Sequence, residues 1–126
     1  MVDASDNFYI TGYTFNGTNY DMRTIKLDDD LTTIWTKTEN GGAEDGSNAI
    51  CVDGSANIYI GGFSETSTGN KLMQIIKYDS SGTKLWTKFL QNSSNDIDAE
   101  VTGITYNATS DKVIVTGFYE YSTGKR

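Results

Sequence analysis

Carboxylates are the most plentiful reactive groups in this chain, and they come in clusters. Glu39, Glu44 and Asp45 stand among Asn and Gly residues, and Asp96, Asp98 and Glu100 follow the polar run 91–95. Clustered carboxylates focus a negative field, so both stretches read as a surface for a cation or a basic partner; the alternative is solvated loop charge. Asp3-Ala-Ser-Asp6-Asn7 and Asp53-Gly-Ser-Ala-Asn57 place oxygen-bearing side chains at alternate positions, as calcium loops do. The acid that such loops need further on is missing: Thr14 and Ser64 stand at the twelfth position, Thr11 and Gly61 at the ninth. A turn in which Asp3 and Asp53 bond the backbone just ahead of them accounts for the pattern better. The same holds for Asp28-Asp29-Asp30. Calcium is thus the one cofactor left open, and no metal ligands are assigned. Trp35 and Trp86 each open a Trp-Thr-Lys triplet. They are suited to stacking on sugars, but their identical settings favour packing between layers.

Other chemistry is excluded by composition. There is no His and a single cysteine, Cys51, so imidazole catalysis, an internal disulfide and a Cys/His zinc cluster are all ruled out. Cys51 reads as a buried free thiol. Neither a Gly-x-Ser-x-Gly elbow nor a phosphate-binding loop occurs, and no enzyme activity is expected within these residues. Against 17 Asp and Glu stand 10 Lys and Arg, a net charge of −7, which leaves no basic face for nucleic acid. No run approaches the roughly 18 apolar residues of a membrane helix, so membrane insertion is not expected. No secretory signal opens the chain, so any export signal is expected outside it. Asn16, Asn92 and Asn107 each begin an Asn-x-Ser/Thr triplet in an expected loop, as glycosylation of an exported protein would require.

The elements that carry these residues are set by an internal repeat. Val2-Asp3, Asn7, Tyr9 and Gly12 return 50 residues later as Val52-Asp53, Asn57, Tyr59 and Gly62, and Trp35 returns 51 later as Trp86. A third copy starts near Gly103 and runs to Gly117-Phe118. The chain therefore divides into units at 1–38, 46–90 and 99–126, the first lacking most of one strand and the third being half a unit. Within the second unit, β-branched and aromatic runs predict strands at 49–53, 57–64, 72–79 and 84–90, separated by Gly, Ser and Asn turns. Such short connections join antiparallel neighbours. No helical stripe exceeds one turn. Ile58-Tyr59-Ile60 and Val113-Ile114-Val115 are apolar on both faces, as a sheet sandwiched between two others requires. The recurring Gly12, Gly62 and Gly117 mark a close backbone approach or a bulge. The expected fold class is all-β, a β-propeller fragment built of four-stranded antiparallel blades.

The pattern Val-Asp-x-x-x-Asn-x-Tyr-x-x-Gly, then Ile-Lys-x-Asp, then Trp-x-Lys resembles the SBBP β-propeller repeat of bacterial and archaeal surface proteins. Asp3, Asn7, Tyr9, Gly12, Lys26, Asp28 and Trp35 match it in the first unit, and Asp53, Asn57, Tyr59, Gly62, Lys77, Asp79, Gly82 and Trp86 in the second. The third departs, with Asn107 for the Asp and Lys112 for the Asn. The resemblance implies an extracellular or cell-surface module that binds a protein or glycan without catalysis. Closed propellers have about 4–8 blades, so the expected partners include further blades of the same polypeptide or other copies of the chain. Propeller geometry would gather the acidic loops 38–48 and 91–100 on one face with the loops 15–19, 64–70 and 119–126. One alternative is a propeller enzyme with its catalytic residues elsewhere, since 79–86 is similar to the tryptophan-bearing repeat of quinone-dependent dehydrogenases, or a polysaccharide lyase. Another is a lectin-like ring of identical chains.

Overall fold

A computed structural model describes residues 1–90 and 96–121. The strands are β1 (Phe8–Phe15), β2 (Tyr20–Leu27), β3 (Thr33–Glu39), β4 (Asp45–Val52), β5 (Ile58–Glu65), β6 (Lys71–Tyr78), β7 (Lys84–Leu90), β8 (Asp96–Asn107) and β9 (Lys112–Tyr121). They form three sheets, β1-β2-β3, β4-β5-β6-β7 and β8-β9, and every pairing is antiparallel. There is no helix among the described residues. The first sheet keeps only a trace of a fourth strand, a single bridge between Val2 and Phe8.

The sheets stack face to face in chain order. Tyr9 and Met22 of the first sheet meet Ile58, Ile60, Ile76 and Tyr78 of the second, with Trp35 packed alongside. The opposite face of the second sheet supplies Met73 and Ile75 against Ala99 and Val101 of the third, with Trp86, Val115 and Tyr119 beside them. The middle sheet is therefore covered on both sides, and the unbroken apolar run Ile58-Tyr59-Ile60 is buried throughout. Full burial of each such side chain stabilises by about 1.5–3 kcal/mol.

Two strands start earlier than turn chemistry suggests. Asp45-Gly46-Ser47-Asn48 and Asp96–Glu100 belong to β4 and β8, so Asp45, Asp96, Asp98 and Glu100 are strand residues and not loop residues. Residues such as Asp, Gly, Ser and Asn are poor strand formers. They are held here by their neighbours: Asp45, Gly46 and Ser47 pair with Ser64, Phe63 and Gly62. Five bulges are found among the described residues. Those at Asn48 and Thr102 interrupt the pairing of β4 and β8, one at Ile97 lies near the start of β8, and those at Ile34 and Leu85 interrupt β3 and β7 just before each Trp. The latter pair explains two exposed aliphatics, because a bulge residue is turned out of the alternation.

The recurring glycine has its reason in the first two of these bulges. A β-carbon on Gly62 would land on the carbonyl oxygen of Gly46, and one on Gly117 on that of Glu100. A β-carbon on Gly12 would meet nothing, because no strand pairs with that stretch of β1 on its free side.

Candidate functional site

Most of the repeat's polar signature is consumed in holding the sheets. The Asp3 carboxylate accepts the amides of Ser5 (2.9 Å) and Asn7 (3.1 Å), the Asn7 side-chain amide (2.9 Å) and the Tyr9 hydroxyl (2.7 Å). Asp53 repeats the set with Ser55, Asn57 and Tyr59. Burial pushes the Asp3 carboxyl up, but these hydrogen bonds outweigh it and bring it down to about 2. Asp53 is also lowered, burial again being outweighed by hydrogen bonds. Their oxygens are thus taken by N–H and O–H donors. Asp28 caps its turn by accepting from the amides of Asp30 and Thr32, and Asp79 from those of Ser81 and Thr83. Among the described residues no group of three or more His, Cys, Asp or Glu is arranged to hold a metal ion.

The two tryptophans sit between sheets. Trp35 lies 6.2 Å from both Tyr9 and Tyr78, and its indole N–H reaches the Ser80 carbonyl, which also accepts from the Lys26 ammonium. Trp86 lies 6.1 Å from Tyr59. The ammonium groups of Lys26 and Lys77 lie over the rings of Tyr9 and Tyr59. Cys51 is buried, and its thiol is pushed up to about 11 by that burial and by the Asp53 carboxylate.

The acidic residues divide. Glu39, at the end of β3, accepts the Tyr78 hydroxyl and the Lys84 ammonium, both at 2.7 Å, and so ties the first sheet to the second. Glu100 pairs with Lys71 at 2.9 Å. Asp98 is half-buried in β8; for Asp96 only the strand position is described. Glu44 and Asp45 come together at the edge where loops converge. The Glu44 carboxylate accepts the Tyr20 amide, and Glu44 and Glu65 exchange bonds through their backbones and the Glu65 side chain. Of the possible sugar-bearing residues, Asn16 and Asn107 cap turns through their side-chain oxygens, and the Asn16 amide also donates to Asp21. Asn92 lies outside the described residues.

At this edge an open cleft of about 280 Å³ separates the first two sheets, lined by Tyr13, Tyr20, Glu44, Asp45, Asn48 and Phe63. Its rim is aromatic: Tyr13 is 68 % exposed and meets Tyr20 edge-on at 5.1 Å, and Phe15 lies 5.3 Å from Tyr20. Its acids are deep. Asp45 is 2 % exposed, and its Oδ2 accepts the Gly41 amide. Burial raises the affinity of this carboxyl for its proton, and Asp21 and Glu44 add to that, against the pull of the Ser64 hydroxyl and the Gly41 amide. The aromatic rim escapes sequence reasoning because Tyr13, Phe15 and Tyr20 read as ordinary strand residues. Their only signal is an aromatic repeated at alternate positions up to the turn.

No family model matches the chain, and no curated protein matches it.

Proposed function

We propose that this chain is a non-catalytic binding module whose three stacked sheets are consecutive blades of a β-propeller of the SBBP-repeat kind, carried by an extracellular or cell-surface protein, and that it takes a protein or glycan ligand at its loop edge. The observation that carries the reading is the cleft between the first two sheets. It combines exposed aromatic faces with the half-buried Glu44 and the buried Asp45, while the polar residues of the repeat are occupied in turns and between sheets. Sites of this composition bind by covering an apolar ring face or an alkyl chain and by fixing orientation with a few polar groups. The blade assignment is supported by the equivalence of the stacked faces. Ile58, Ile60, Ile76 and Tyr78, which cover the first sheet, stand one repeat after Phe8, Ile10, Ile25 and Leu27.

The test is a panel of immobilised glycans and peptides probed with the chain and with a Tyr13→Ala, Phe15→Ala double variant. Both side chains are mostly exposed, so the variant should fold. Binders that it no longer retains place the ligand at this edge. A panel without binders, or binders that the variant retains, would sink the assignment.

A further inference from the structure

Glycine follows asparagine at two places, Asn16-Gly17 and Asn40-Gly41. In such a pair the glycine nitrogen is the least hindered that a chain offers, and its attack on the asparagine side-chain carbonyl closes a five-membered imide. The fold gives the two pairs different surroundings.

Asn40 is exposed, in the connection between β3 and β4 that joins the first sheet to the second. Its Oδ1 accepts the Gly42 amide at 2.7 Å. That bond folds the side-chain carbonyl back along Gly41 and places a donor on the oxygen that gains negative charge during attack. The attacking group, the Gly41 amide, donates to Oδ2 of Asp45. A carboxylate within hydrogen-bond reach of the proton to be removed has the geometry of a general base. Only glycine permits this approach, because a β-carbon on Gly41 would lie 2.6 Å from Ser64 Oγ and 2.8 Å from the Asp45 carboxylate. Burial, with the Asp21 carboxyl on β2 and that of Glu44, raises the proton affinity of Asp45 against the pull of Ser64 and Gly41. A base improves as its proton affinity rises. The other charges near Gly41 are Glu39 and Lys84, which line the same pocket and are paired with each other at 2.7 Å.

Asn16 has the first feature and lacks the second. Its Oδ1 accepts the Thr18 and Asn19 amides. Its Nδ2, the nitrogen that would leave, is tied to Asn19 and Asp21. Among the described residues no carboxylate accepts the Gly17 amide.

We infer that Asn40 is a self-modifying site, at which Gly41 is the nucleophile, Asp45 the base and the Gly42 amide the oxyanion donor. The bond from Gly41 N to Asn40 Cγ forms as the Gly41 proton passes to Asp45. Asp45 returns that proton to Nδ2, the Cγ–Nδ2 bond breaks and ammonia leaves. Water then opens the imide at either carbonyl, leaving aspartate or isoaspartate at position 40. Both products add a negative charge next to Glu39. The isoaspartate also adds one backbone atom to the connection between the first two sheets.

The experiment ages the whole chain at neutral pH, folded and in guanidinium, and follows both Asn-Gly pairs by peptide mass and isoaspartate content. Asn40 should convert at least about tenfold faster in the folded chain than in the unfolded one, the lower side of what a positioned base contributes. Asn16 should convert more slowly folded than unfolded. The folded rate at Asn40 should level off with rising pH once Asp45 is ionised, whereas the unfolded rate should climb in proportion to hydroxide. Asp45→Asn, checked for folding by circular dichroism, should lose both the acceleration and the plateau. Folded conversion of Asn40 no faster than unfolded, or a folded rate that follows hydroxide, would overturn the inference. These two comparisons need only the natural chain, so they decide it even if the variant does not fold.

Discussion

Asp53 shows how much one side chain does in this repeat. Its two oxygens receive the Ser55 and Asn57 amides, the Asn57 side chain and the Tyr59 hydroxyl, so turn, strand entry and core are tied to a single carboxylate. Charge-assisted bonds of this kind are worth about 1.5–3 kcal/mol each to the folded state, although they share one acceptor and do not add. Because the carboxyls of Asp3, Asp53 and Asp79 are held below their ordinary values, their contribution is present above the unfolded value near 4 and is lost as the pH falls through the folded one, about 2 for Asp3. Asp53→Asn should lower the melting temperature at pH 5, and its gap from the natural chain should narrow as the pH approaches 2. A gap of constant width would show that the charge is irrelevant. Cys51 provides a second check at this scale. Buried, with its thiol raised to about 11, it should react with a thiol reagent only on unfolding. Prompt labelling of the folded chain at neutral pH would contradict the burial.

At the scale of the strand, the glycines at equivalent positions should respond in opposite ways. Gly62→Ala sets a methyl group against the Gly46 carbonyl at the β4 bulge, and backbone cannot yield as a flexible side chain can. A loss of roughly 1–3 kcal/mol or more is expected. Gly12→Ala meets nothing and removes freedom from the unfolded chain, so it should be neutral or stabilise by up to about 1 kcal/mol. Denaturant melts of the two variants measure the contrast, and equal costs would refute the close approach. The turns before β3 and β7 offer a parallel case. Leu31 adopts φ 64° at the position that Gly82 fills one repeat later with φ 85°. Leu31 is exposed, so Leu31→Gly relieves a left-handed side chain without opening the core, and a gain of about 0.5–1 kcal/mol should appear in the same melts.

For the molecule as a whole, stability lies between sheets as much as within them. Trp86 is packed against the core that joins the second and third sheets and is only partly exposed. Trp86→Ala should therefore cost roughly 2–4 kcal/mol, somewhat below the full range for a buried Trp. A change under 0.5 kcal/mol in the unfolding free energy would mean that the third sheet docks without it. The outward face of the first sheet, with Ile10 53 % exposed, is the counterpart of the face on which Ile60 is fully buried. The difference between them is made by the neighbour and not by residue type.

That contrast separates what the sequence determined by itself from what required the tertiary structure. The 50-residue recurrence, the apolar run Ile58-Tyr59-Ile60 and the Gly-Ser-Asn turns were enough for the all-β class, the strand count of the second unit and bounds within a residue or so for β5 to β7, because alternation, propensity and turn chemistry are local properties. The turn role of Asp3 and Asp53 was legible for the same reason, since donors and acceptor lie within a few residues. The early starts of β4 and β8 were not, because Asp45-Gly46-Ser47-Asn48 carries loop residues that only pairing with β5 makes into a strand. Nor was the division of the acids. Glu39 and Glu100 are neutralised by Lys84 and Lys71, 45 and 29 residues distant, whereas Asp45 is buried beside a cleft that Tyr13 of another sheet lines. Charge can be counted along a chain, but whether it is paired, solvated or buried depends on which strands stacking brings together.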